Sequence, residues 1–409
     1  MYDEIEIPQY FICPISLQIM KDPVTTITGI SYDRESIERW LNTGKECTTC
    51  PVTKQPLPRN CELTSNHTLR RLIQAWCTQN AINGVERIPT PKSPLDRNHL
   101  LKLVRDLQVD DLCLSSLKKM EALAMESERN RKCMEDMAVV KAMVLLIIRC
   151  YKDGKAIGLE EALRILSLVW TPSTQTRVLI NENHDSIINS LTWVLRCESD
   201  GNQLALKNSA LLVLKKVFEV ASTRLLEGLK LEFFKEIVKL LRNNISQQAT
   251  KSALHVLIES CPWGRNRMKM VEANAVFELI ELELGKPEKN ITELIFNLLA
   301  QLCSCADGRS QFLSHSGAIA MVSKRILRVS PATDDRGVHI LYSISKFWAT
   351  NEVVLEMLRV GAVTKICMVV QADCEKYLKE KAKGILRLHS TVWNNSPCIG
   401  VYLLTRYRT

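Results

Sequence analysis

The chain has 409 residues, 46% of them apolar and 24% charged, enough to bury a large core and to form more than one domain. Tyr2–Gln9 is acidic and polar, unlike a secretory leader. No apolar run reaches the ~18 residues that a membrane-spanning helix needs, and Ala138–Ile148, the most apolar stretch, is interrupted by Lys141. These features predict a soluble, intracellular protein. The net charge of +9 is unevenly placed: residues 1–78 hold eight Lys/Arg against nine Asp/Glu, and the remainder holds 46 against 36. An excess spread so thinly fits a solvated helical surface. The near-neutral first part argues against nucleic-acid binding. Fifteen cysteines, an odd number without a framework, read as small buried hydrophobes of a reducing compartment.

In chain order, Asp22–Ile30 predicts a short β-hairpin. Asp33–Leu41 places Ile37, Trp40 and Leu41 on one helical face, with Ser31 or Asp33 as its cap. Asn66–Trp76 repeats the pattern with Leu69, Leu72, Ile73 and Trp76, capped by Asn66. Trp40, Trp76, Leu69, Leu72 and Ile73 are expected to supply the core of a small α+β domain, residues 1–78. Arg87–Pro94 carries three prolines within six residues, which excludes a helix or central strand and marks a linker over 79–97.

From residue 98 to 409 the apolar residues recur at helical spacing. Helix starts at Val139, Ile187, Phe234, Val276, Ile319 and Val363 are separated by 48, 47, 42, 43 and 44 residues. Short helices precede several of them, at Asn130–Met134, Asn266–Met270, Gly308–Phe312 and Asn351–Leu355, and Leu100–Leu107 reads as a cap. In the best copies (264–284, 308–327 and 351–370) a short helix is followed by Gly or Asn, then Ala and Val or Ile, then a longer helix. A helical period in the low forties predicts an armadillo- or HEAT-type solenoid.

Cys47 and Cys50 form a C-x-x-C, half of a structural zinc site. The second half is missing. Residues 1–77 contain five cysteines and one histidine, His67, so a cross-braced pair of sites with eight ligands is excluded. A domain of this size without metal needs another device. Ser16, Lys21, Asp22, Asp33, Arg34, Glu35, Thr53, Arg70 and Arg71 are the candidates for partly buried ion pairs and hydrogen bonds.

Residues 8–77 resemble the U-box, the zinc-free relative of the RING finger. The matching stretches are Pro8–Ser16, Met20–Val24, Gly29–Ile37, Trp40, Cys50–Thr53 and Asn66–Ile73. With the armadillo-like remainder, and with Ser390–Cys398 similar to the ends of that subgroup, the whole chain resembles the plant U-box/armadillo ubiquitin ligases. The implied fold is mostly α: a small α+β U-box followed by an armadillo α-solenoid. The implied activity is transfer of ubiquitin from a charged conjugating enzyme to a substrate lysine, with no cofactor, no metal and no ligase–ubiquitin thioester. Cys13 and Cys50 are then not nucleophiles. Carried over by motif position, the conjugating enzyme would dock on Ile15 and Leu17 of the first loop, Pro51 of the second and Trp40 between them, with Ile12, Cys13 and Pro14 alongside. Lys54 stands where many such ligases carry a basic residue that bridges conjugating enzyme and ubiquitin, although lysine lacks the planar fork of arginine. The solenoid would hold the protein substrate. The resemblance also allows a homodimer, a cytoplasmic, nuclear or membrane-peripheral location, and proteasomal degradation of the substrate. Two other readings compete. One is a non-catalytic armadillo adaptor with a binding-only U-box; the other is a zinc-dependent RING-like or nucleic-acid-binding protein.

Overall fold

The computed structural model describes residues 7–43, 48–58, 61–81, 85, 95–136, 138–197, 203–243, 246–394, 396–397 and 399–400. The chain divides into two compact units, 1–94 and 95–409.

The first unit begins with a 3-10 turn at Gln9–Phe11. It continues through β1 (Pro23–Thr25), β2 (Ser31–Asp33), α1 (Arg34–Thr43), β3 (Thr48–Thr49), β4 (Pro56–Leu57), β5 (Thr64–Ser65) and α2 (His67–Gln79). β1 lies between antiparallel β2 and β5, so that Val24 pairs with both Tyr32 and Ser65. β3 and β4 form a separate antiparallel ribbon. Gly29 takes φ 79° in the turn between β1 and β2, a conformation that costs glycine little. Phe11, Met20, Val24, Tyr32, Ile37, Leu57 and Ile73 form the core with Cys13, Cys50 and Cys77.

Strands this short do not stand alone, and a charged network ties them together. The Asp22 carboxylate accepts from Arg34 Nε at 2.7 Å and from an Arg70 guanidinium nitrogen at 2.5 Å. Arg34 also donates to Ser65 Oγ at 2.8 Å. The Asp33 carboxylate accepts the Lys21 and Asp22 amides at 2.8 and 2.9 Å. It therefore anchors the chain before β1 and does not cap α1. Asn66 does cap α2, accepting the Leu69 amide at 3.0 Å.

Two residues assigned to the core from sequence are surface residues: Leu72 is 52% and Trp40 41% exposed. The Arg70–Asp22 pair explains Leu72. Ile73 and Cys77 lie on the same side of α2 as Arg70, whereas Leu72 is turned about 200° from Arg70 around the axis. Drawing Arg70 inward therefore rolls Leu72 outward. Of the linker expected over 79–97, residues 82–84 and 86–94 lie outside the described residues.

The second unit is helical among its described residues. Its first helices are α3 (Arg97–Asp106), α4 (Asp110–Glu126), α5 (Glu128–Asp136), α6 (Val139–Asp153), α7 (Leu159–Val169), α8 (Thr174–Glu182) and α9 (His184–Arg196). Then come α10 (Gln203–Glu219), α11 (Thr223–Glu227), α12 (Leu231–Arg242), α13 (Gln247–Ser260), α14 (Gly264–Glu272), α15 (Ala275–Leu284) and α16 (Lys289–Leu302). The last are α17 (Ala306–Ser314), α18 (Ala318–Arg325), α19 (Pro331–Phe347), α20 (Asn351–Arg359), α21 (Ala362–Gln371), α22 (Lys376–Leu388) and α23 (Ser390–Trp393). Their packing is strictly serial. α4, α7, α10, α13, α16, α19 and α22 stack as one layer, and α6, α9, α12, α15, α18 and α21 as a second. This is the solenoid, with three helices per repeat. The helix after the Gly/Asn-Ala step is not the long one: α15, α18 and α21 have 10, 8 and 10 residues, and the 14- to 17-residue helices come third. That third helix is apolar on most of its circumference, which hides its boundaries in the sequence.

The recurrent Asn-Arg and Gly-Arg at the short helices has a local cause. Arg131, Arg267 and Arg309 donate to the carbonyls of Ala124, Cys261 and Cys303, at or beside the end of the preceding long helix. Asn130 and Asn266 do the same for Leu123 and Ser260. These carbonyls lack helical partners, and cations suit the negative end of the helix. At Gly308 a Cβ would collide with the Leu302 carbonyl, so only glycine fits there. The Gly/Asn before the next helix also has a cause: Asn274 and Gly361 take φ 66° and 74°, reversing the chain between α14 and α15 and between α20 and α21. Trp393, fully buried, closes the last repeat and donates from Nε1 to the Val354 carbonyl at 3.2 Å.

Candidate functional site

Two loops of the first unit are built alike: Cys13-Pro14-Ile15-Ser16-Leu17 and Cys50-Pro51-Val52-Thr53-Lys54. In each, the fifth residue donates its N–H to the cysteine carbonyl, Leu17 to Cys13 at 2.9 Å and Lys54 to Cys50 at 3.0 Å. Each cysteine N–H reaches the carbonyl one residue further on, of Gln18 or Gln55, both at 2.8 Å. The fifth residue is left-handed in both, with φ 57° at Leu17 and 60° at Lys54. A non-glycine residue held there costs about 1–3 kcal/mol. The result is a knuckle that turns sharply and presents its tip. Leu17, Val52 and Lys54 are exposed, as is Pro14; Ile15 and Pro51 are half-buried, with Ile15 packed on the core.

The sulfur at the base of each knuckle is fully buried and serves as a hydrogen-bond acceptor. Cys13 Sγ takes the Asp33 amide at 3.3 Å. Cys50 Sγ meets Tyr32 Oη at 3.0 Å, Thr28 Oγ1 at 3.4 Å and the Thr53 amide at 3.4 Å. Burial raises a thiol's pKa, but here the donors outweigh it. Thr28, Thr53 and Tyr32 bring Cys50 down to about 6, and the amides of Ser16 and Asp33 lower Cys13. Burial, with the Cys50 sulfur beside it, raises the Tyr32 phenol. Burial also raises the other two described thiols of this unit, Cys61 and Cys77. Cys47 lies outside the described residues. Among the described residues no three His, Cys, Asp or Glu side chains group as metal ligands would.

Trp40 stands on the exposed side of α1, and its Nε1–H donates to the Thr49 carbonyl at 2.9 Å, at the entry to the second knuckle. Ile12 is half-buried and bridges to Ile19 at the base of the first. The structure therefore brings Ile15, Leu17, Trp40 and Pro51 to two linked knuckles, with Cys13 beneath the surface. It adds Val52, 50% exposed at the position equivalent to Ile15. The repeated Cys-Pro-(Ile/Val)-(Ser/Thr) pattern carried that signal.

In the second unit, His255, Asn297, His339 and Lys381 follow one another at intervals of 42 residues on α13, α16, α19 and α22. All four are half-buried. Lys381 Nζ lies 3.3 Å from His339 Nδ1 and 4.0 Å from the Asp335 carboxylate. Burial lowers both histidines, helped by Lys215 at His255 and Lys381 at His339.

Comparison with known proteins agrees with both halves. The U-box domain family matches residues 7–82, and the plant U-box protein ARM repeat region matches 99–409. The chain is 43% identical over 412 residues to E3 ubiquitin-protein ligase PUB23 of Arabidopsis thaliana, covering all of this chain and 98% of that one. It is 42% identical to PUB24 of the same plant, covering 99% and 96%, and 40% identical to PUB22, covering both chains completely. The chain belongs to the plant U-box, armadillo-repeat ubiquitin-protein ligases.

Proposed function

We propose that the two knuckles and Trp40 form the surface on which a ubiquitin-charged conjugating enzyme docks. Ubiquitin then passes directly from that enzyme to a lysine of a substrate held by the solenoid. The observation that carries this reading is that two knuckles of one build hold Ile15 and Leu17, and Pro51 and Val52, at or near the surface, with an exposed Trp40 bonded to the entry of the second. Apolar side chains held on rigid turns suit a small, transient interface, because little ordering is left to be done on binding. Catalysis in this arrangement is positioning and polarisation of a thioester carried by the partner. Direct transfer is supported by the state of Cys13 and Cys50, whose sulfurs are buried and already hydrogen-bonded. Lys54 stands exposed at the tip of the second knuckle and supplies a cation toward the docked pair. For the substrate, His255, Asn297, His339 and Lys381 offer donors and acceptors at repeat spacing, which fits an extended segment laid across the repeats.

Purified protein incubated with activating enzyme, ubiquitin, ATP and a broad panel of conjugating enzymes should build ubiquitin chains with at least one of them. Ile15→Ala should slow this about tenfold or more, the loss of one buried apolar anchor, and no thiol-labile ubiquitin adduct should form on the ligase. Silence with the whole panel would leave a binding-only adaptor. An unaffected Ile15→Ala variant would remove the docking surface from this place.

A further inference from the structure

The two knuckles are tied to neighbouring residues of one strand. Asp33 gives its amide to the sulfur of the first knuckle, and Tyr32, the residue before it in β2, meets the sulfur of the second. Tyr32 is fully buried, and its partner in register is Val24 of the central strand β1. Its hydroxyl therefore lies at the end of a rigid ring rooted in the sheet. The Cys50 sulfur receives three donors from three places: Tyr32 in β2, Thr28 in the turn before it, and Thr53 within the knuckle itself. One atom thus fixes the knuckle to the sheet and closes it at the same time. Trp40 holds the same segment from the other side through the Thr49 carbonyl.

We propose that Tyr32 and Cys50 are positioning residues for ubiquitin transfer, a buried hydroxyl–sulfur pair that holds the second knuckle in register with the first. Neither residue touches the conjugating enzyme. They act through Pro51 and Val52, by setting where these project relative to Ile15 and Leu17. The inference rests on the docking reading above. A shape-determined interface tolerates displacement of one loop poorly, whereas the thioester that reacts is carried by the partner. Loss of the pair should therefore weaken encounter and spare turnover. The sulfur's role is that of an electron-rich acceptor, so a carboxylate of similar reach should serve in its place and a methyl group should not.

The test is steady-state ubiquitin transfer by the full chain against increasing charged conjugating enzyme. Tyr32→Phe, which keeps the ring and removes the hydroxyl, should raise KM about fivefold to tenfold, the scale of one hydrogen bond to an electron-rich acceptor, with kcat within about twofold. Cys50→Ala removes all three bonds to the sulfur and should raise KM at least as much, and the double variant should be no worse than Cys50→Ala alone, because the Tyr32 bond is already lost there. Cys50→Asp should restore KM where Cys50→Ala does not. Unchanged KM in Tyr32→Phe, or strictly additive effects in the double variant, would overturn the proposal. Ile15→Ala is run alongside. If it too leaves KM unchanged, the docking reading fails; if it raises KM while Tyr32→Phe does not, only the positioning role fails. Cys50→Asp and Tyr32→Phe are checked for amide-exchange protection of Val24, so that a misfolded domain is not taken for a displaced loop.

Discussion

The Cys50 sulfur links the chemistry of one side chain to the stability of the domain. Its thiol is held near 6 in the folded chain, against an ordinary value of 9.0. A group depressed by folding adds stability that is complete above its unfolded value and is lost as pH falls through its folded one. The U-box should therefore become progressively less stable as pH is lowered from about 9 to about 6. Tyr32 is the titratable group bonded to this sulfur, and it does not change the sign, because its phenol is raised above its ordinary value and titrates beyond this range; Cys13, lowered as well, acts in the same direction as Cys50. Amide exchange in β1, corrected for its intrinsic pH dependence, should show this slope, and Cys50→Ala should flatten it. Asp22 is the other residue on which the domain turns. It is the shared acceptor for Arg34 and Arg70, all three being mostly sheltered from solvent. Asp22→Asn should cost about 2 kcal/mol, less than for a fully buried pair, because water still reaches the edge of the network. Exchange from β5 and α2 should rise with it.

Among the elements, those with strong local signals were legible. Ile37 and Leu41 marked the buried side of α1, Asn66 marked the start of α2, and Val139, Val276, Ile319 and Val363 fell within a residue of the helices they announced. The roll of α2 was not legible, because Leu72 has the same spacing as a core residue; only the distant Asp22 decides that Arg70, not Leu72, faces inward. The third helix of each repeat was hidden for a related reason. On α13, Ala249, Ala253, Leu254, Val256 and Leu257 are all buried, and burial on several sides erases the single-face period on which a sequence reading relies. In the knuckles the paired pattern was visible, but the work of each sulfur depends on Tyr32 and Asp33, 18 and 20 residues away from Cys50 and Cys13. The terminal element carries its own prediction. Trp393 is fully buried, stacks edge-on to His389 and bonds the Val354 carbonyl. Trp393→Ala should cost about 3–5 kcal/mol locally and should unprotect α20 and α22 while leaving α13 unchanged, as read by amide exchange.

At the scale of the molecule, the solenoid is close to a one-dimensional assembly. Each helix of a layer packs on its predecessor and successor, and ion pairs repeat the rule from helix to helix: Arg196 with Glu236, Arg242 with Glu278, and Arg325 with Glu283. Stability in such a stack is a sum over repeats and their interfaces. Amide protection should accordingly peak in α13 and α16, whose inward residues are almost completely covered, and decline toward α3 and α23. Heating should produce more than one transition, since the first unit has its own core. Superimposed melting curves from probes in the two units would contradict this.

The left-handed residues at the knuckle tips have an evolutionary consequence. Glycine at 17 or 54 would relieve the backbone at once, so the most accessible route to a sturdier domain runs through the two side chains that face outward. Selection for robustness and selection for partner recognition thus meet at Leu17 and Lys54, and they pull in opposite directions. A lineage released from its conjugating enzyme should drift to glycine there first, and the residue found at these two positions would date the loss of the interaction better than the core does.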